Sequence, residues 1–145
     1  MKNSVYEKAM EFKRKYPSTI AWRIKKHCDV IQGHLNPGEE VKYVFVAQNG
    51  QSPFEVFNTY ACVLTNKRLL FARKRLLWGY FFLSVTPDLF NDMRVKRRLI
   101  WGLLVIDTVK EVIKLSNISK HALIELETQI SSYMMEEKKK YKIMK

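Results

Sequence analysis

Val63-Leu64-Thr65-Asn66-Lys67-Arg68-Leu69-Leu70-Phe71 sets two apolar runs on either side of a short polar step, and its reading decides the fold. Thr65-Asn66-Lys67 has turn chemistry, because short polar side chains hydrogen-bond locally and tolerate tight backbone. The flanking runs read as strands, with Leu69 and Phe71 facing opposite to Leu70. The stretch is therefore a hairpin.

Toward the N-terminus, Phe54 to Leu64 continues the strand before this turn. The breakers Asn49-Gly50-Gln51-Ser52-Pro53 precede it, and a first strand begins at Val41, with Val44 and Val46 opposite Tyr43 and Phe45. Toward the C-terminus, Arg68 to Arg73 is a third strand, Leu77 to Val85 a fourth and Pro87 to Asn91 a corner. Met93 to Leu99, Gly102 to Asp107 and Glu111 to Leu115 complete seven. Such a run of strands predicts a sandwich or barrel.

A helix is expected at each end. Ser119 is placed to cap a final one whose Ala122, Leu123, Leu126, Ile130, Tyr133 and Met134 share a face. Lys138 to Lys145 is expected to fray into solvent. At the other end Val5, Ala9 and Phe12, then Ile20, Ile24, Cys28, Ile31 and Leu35, recur at helical spacing. Pro17 divides two helices, Ser18 is read as the cap of the second, and the exit falls near Gly33.

Leu35-Asn36-Pro37-Gly38-Glu39-Glu40 before the first strand, the hairpin quoted above, and Leu115 to Leu126 with Ile118, Ala122 and Leu126 stand in the order of a known family. On those stretches the chain resembles the bacterial pleckstrin-homology (PH) domain family, its YokE-like members in particular. The resemblance covers about residues 35 to 135. It implies an α+β fold: a PH-like seven-stranded antiparallel curled sheet or barrel capped by a C-terminal helix. The expected division is a helical extension over 1–34, the PH-like domain over 35–137, and a basic tail over 138–145. A PH-like barrel is a scaffold reused for lipid, peptide and self-association, so the resemblance implies a binding module without naming its ligand. Lipid-reading PH domains cluster Lys and Arg around their first hairpin loop, whereas Gln48 to Pro53 contains none. Specific phosphoinositide recognition is not expected.

Charge narrows the partner class. The 145 residues hold 26 Lys and Arg against 14 Asp and Glu, a net +12, which attracts phosphate-bearing surfaces. Most of the excess lies between residues 41 and 118, with twelve basic and five acidic side chains. The first ten residues lack a signal peptide's apolar stretch, and the longest apolar run, Leu76 to Val85, is half a membrane span. A cytoplasmic protein is expected, peripheral at the inner membrane face if it meets lipid.

One pattern recurs. Arg73-Lys74-Arg75-Leu76-Leu77-Trp78-Gly79 returns as Lys96-Arg97-Arg98-Leu99-Ile100-Trp101-Gly102. Turns three-to-four and five-to-six of a meander share an end, so the two copies are expected to meet in one basic, apolar and aromatic rim. Arg73, Lys74, Arg75, Trp78, Lys96, Arg97, Arg98 and Trp101 are the candidate contacts. Cations snorkel to anionic headgroups, Trp rests at the interface and aliphatic tips dip in. The competing reading packs both Trp residues inward as ordinary core.

Catalysis finds no support. His27, His34 and His121 are scattered, and His27 is expected on the surface. Cys28 beside it points to another face of the helix, and Cys28 and Cys62 have no metal-ligand spacing. No cofactor or metal is expected. The chain reads as a non-catalytic adaptor contacting an anionic lipid surface or an acidic protein partner, with self-association into a homo-oligomer through open sheet edges as a further mode; a basic nucleic-acid-binding protein is the alternative.

Overall fold

The computed structural model describes residues 4–49 and 59–143. Two helices come first, α1 (Ser4–Lys15) and α2 (Ile24–His34). Seven strands follow: β1 (Val41–Asn49), β2 (Thr59–Thr65), β3 (Leu69–Lys74), β4 (Tyr80–Val85), β5 (Phe90–Arg97), β6 (Trp101–Thr108) and β7 (Val112–Ser119). A long helix, α3 (Leu123–Ile143), closes the chain. The strands form one antiparallel sheet in the order β4-β3-β2-β1-β7-β6-β5. It is two meanders joined where Gln48 and Asn49 of β1 pair with Ser116 and Leu115 of β7.

The hairpin between β2 and β3 shows why its sequence is what it is. Thr65 Oγ1 accepts hydrogen bonds from the amides of Lys67 and Arg68, each at 3.1 Å, which closes the turn. Its hydroxyl donates to Glu39 at 2.6 Å. Arg68 donates to both Glu39 oxygens and to the His34 carbonyl. Asn66 Oδ1 accepts from the Glu40 amide. The two stretches most diagnostic in the sequence, 35–40 and 63–71, are therefore one hydrogen-bonded lock. Burial alone would raise the Glu39 pKa, but the bonds from Arg68, Thr65 and the Asn36 amide outweigh it and bring it down to about 2.

Burial along the first three strands departs from the expected alternation. Val44 to Gln48, Ala61 to Thr65 and Leu69 to Ala72 are buried without a break. The cause is that both faces are covered. α1 and α2 set Val5, Ala9, Phe12, Cys28 and Ile31 into the same core as the sheet. On the inner side α3 contributes Leu126, Ile130 and Met134. Sheets covered on both faces lose their polar positions.

Several boundaries differ from the sequence reading. β4 begins at Tyr80, because residues 75–79 make a turn closed by the Arg75 amide on the Gly79 carbonyl, with Gly79 at φ 78°. Ser119 caps a short 3₁₀ turn, Lys120–Ala122, ahead of α3. The last helix does not fray at Lys138: it runs to Ile143, and Lys138 Nζ donates to the Phe90 carbonyl. Ser18 does not cap α2. That helix starts six residues later behind Arg23, a left-handed residue at φ 53°. The part of the second strand expected over Phe54 to Asn58, and the turn before it from Gly50 on, lie outside the described residues.

Residues 18–23 form a strap across the sheet. Its Thr19 hydroxyl accepts from the Ser119 amide, its Ile20 amide donates to the Asn117 carbonyl, and its Trp22 amide donates to Thr59 Oγ1. Arg23 ends it by donating to the Lys74 carbonyl. Asn117 sits at φ 58°, where the pairing of β6 and β7 slips between Gly102 and Leu104. The irregularity frees a carbonyl for the strap to use.

Candidate functional site

The two echoed segments are both turns, and their apolar tips face solvent. Leu77 is 79% exposed, Trp78 75% and Leu99 88%, with Leu76 and Ile100 also exposed. An inward, core-forming role for these five is excluded by that placement. Trp101 differs: it is half-buried, and its indole N–H donates to the Ser18 carbonyl at 2.7 Å. Arg75, Lys96, Arg97 and Arg98 are exposed beside the tips. Lys74 is half-buried, and its backbone holds α2 through His27 and Arg23. Arg73 is also half-buried, its guanidinium 5.9 Å from the centre of the Tyr60 ring.

The turns are not neighbours within the sheet, as a simple meander would make them. β1 pairs with β7, so the β3–β4 turn lies at one edge of the sheet and the β5–β6 turn at the other. The strap is what relates them. It is bonded at Ser18 to Trp101 and at Arg23 to the end of β3, and five residues span no more than about 18 Å. It also contributes a side chain the sequence reading passed over: Trp22, 54% exposed. The signal was there, an aromatic beside Arg23 in the stretch after Pro17. Residues 18–28, 73–80 and 93–102 together carry ten basic and no acidic side chains.

His27 is a second correction. It is buried, not on the surface, and its Nδ1 accepts the Lys74 amide at 2.8 Å. Burial, then the charge of Arg23, lowers its pKa to about 4, against a weaker upward pull from the Trp22 backbone. Cys28 is pushed up to about 12 by burial, and Cys62 is raised by the same cause. Neither thiol is an accessible nucleophile. Among the described residues no group of three His, Cys, Asp or Glu side chains is placed to hold a metal ion. No described helix is long and apolar enough to cross a membrane.

A search of curated proteins finds no match. Among solved structures, a pleckstrin homology domain from Shewanella amazonensis SB2B is similar at 14% identity, with a TM-score of 0.49. The match spans 78% of this chain and 89% of that one. The sequence model described as "Bacterial PH domain" matches residues 35–132, from the end of α2 into α3. With more than half its length in that match, and the Glu39–Arg68 lock inside it, the chain belongs to the bacterial PH domain family.

Proposed function

We propose that the protein is a non-catalytic, cytoplasmic adaptor that adsorbs to an anionic membrane surface through its two exposed turns and the strap between them. PH domains are generally binding modules, and the finer reading rests on one observation. Five large apolar side chains stand in solvent on two turns whose flanking residues are basic. Exposed aliphatic tips gain little from water, and isolated cations gain little from a neutral partner. A leaflet of anionic lipid suits both at once, the tips entering and each cation near the surface contributing about 1 kcal/mol. Nucleic acid fits less well: Trp78 and Trp22 offer rings on which a base stacks, but the four aliphatic tips Leu76, Leu77, Leu99 and Ile100 would stay in water. A YokE-like place within the family is supported by the wording of residues 63–71.

Vesicle pelleting tests the reading. Phosphatidylglycerol vesicles are expected to carry the protein down and phosphatidylcholine vesicles to leave it in solution. The double variant L77S/W78A is expected to weaken binding by about tenfold or more, an effect of at least about 1.4 kcal/mol, with unchanged thermal stability. Equal pelleting with both lipids would overturn the proposal. So would a salt-sensitive shift of single-stranded DNA without any lipid binding, which would favour the nucleic-acid alternative.

A further inference from the structure

The outward side of β6 carries a feature that the two turns do not use. Leu104 and Ile106 are sealed in the core, so alternation turns their neighbours Leu103 and Val105 to the opposite face. Register sets cations on both flanks. Lys96 and Arg94 of β5 lie opposite Leu103 and Val105, and Lys114 of β7 lies opposite Val105. Val105 is closed off at 5% exposure, so the apolar surface left open beside these cations is that of the half-buried Leu103.

Over β1, β2 and β3 the outward side is covered by α1 and α2. Around Leu103 the surface opens as a groove of about 650 Å³, walled by Ile20, Arg98, Ile100, Trp101, Leu103 and Lys114. That volume falls within the range of about 300–1,000 Å³ typical of small-molecule sites. Among the described residues no carboxylate lines it. Ile20 is held over one side by the bond of its amide to Asn117, so the strap forms a wall of the groove.

We infer that this groove seats a single anionic phospholipid, its phosphate held by Arg98 and Lys114 and one acyl chain laid along Trp101 and Leu103. The inference rests on the lipid reading above and adds a discrete site to it. A bare anion leaves the apolar floor unused, and a zwitterionic amphiphile leaves the positive borders unmatched. Stacking bases need successive ring faces, whereas this groove has one aromatic, whose N–H is already engaged by Ser18. Leu99 and Ile100 at its end are the tips proposed to enter the leaflet, so a lipid passes into the groove without crossing water.

The probe is dihexanoyl phosphatidylglycerol below its micelle concentration, titrated by calorimetry and by tryptophan emission on the full chain. Saturable binding with one site is expected, at least about tenfold tighter than for dihexanoyl phosphatidylcholine or inorganic phosphate. L103E is expected to weaken it by about tenfold or more, and K114E, on an exposed position that leaves folding alone, by a smaller factor. Absence of saturation in the native chain, or equal binding by phosphate alone, would overturn the groove. Unchanged affinity in both variants would do the same. Vesicle pelleting of the native chain separates the two proposals. Pelleting without monomer binding defeats the groove only, and monomer binding without pelleting defeats the membrane-adsorbing turns only.

Discussion

Two buried groups at the residue scale decide how the protein responds to acid and to substitution. His27 has a folded pKa near 4 against an ordinary 6.5, so the unfolded chain takes up the proton first. Its contribution to stability is complete above about pH 6.5 and is lost as the pH falls toward 4. Urea midpoints measured across that interval are expected to decline in the native chain and to decline less in H27N, whose side-chain oxygen can still accept the Lys74 amide. Glu39, held near 2, extends the loss through the window from 4.5 to 2. Its partner Arg68 has a side chain only 15% exposed, and Glu39 only 1%. R68A leaves that carboxylate buried without its guanidinium and is expected to destabilise the fold by about 3 kcal/mol, read by denaturant unfolding. The lock was legible as a motif but not as an ion pair, because Glu39 and Arg68 are 29 residues apart and only the docking of two turns brings them together.

The elements show where local reasoning succeeds and where it stops. α1, the strand count, and the buried face of α3 through Leu123, Leu126, Ile130 and Met134 were legible, since each follows from spacing within one segment. The start of α2 was not. Arg23 takes a left-handed conformation where its side chain bonds the carbonyl of Lys74, 51 residues on, and no local propensity encodes that contact. The continuous burial of β1, β2 and β3 follows from helices laid over a face that period-two logic leaves to water. Gly102 illustrates a contact between elements that its echo with Gly79 conceals. Gly79 serves a turn, whereas a Cβ on Gly102 would lie 2.6 Å from both Leu123 methyls. G102A is therefore expected to destabilise by about 1–3 kcal/mol. In the double variant G102A/L123A the total should fall below the sum of the single effects by about 1 kcal/mol, a coupling measurable by a double-mutant cycle.

For the whole molecule, the twin turns were legible as a basic and aromatic repeat, while their arrangement was not, because the β1–β7 pairing joins distant parts of the chain. The helices that precede the family match are integral to the core: Val5, Ala9, Phe12, Cys28 and Ile31 are all buried in it. Deleting residues 1–34 is expected to uncover the outer side of β1, β2 and β3, giving strong binding of a hydrophobic dye and loss of a cooperative thermal transition. Among the described residues, two ties run from this first part to the last: Lys15 Nζ to Glu125 at 2.5 Å, and the Ser119 amide to Thr19 at 2.9 Å, across 110 and 100 residues. During synthesis these helices leave the ribosome before the strands and the last helix that they pack against. Their apolar faces stay open to chaperones until β1, β2 and β3 have emerged, and the ties to Ser119 and Glu125 form only after β7 and α3 have followed.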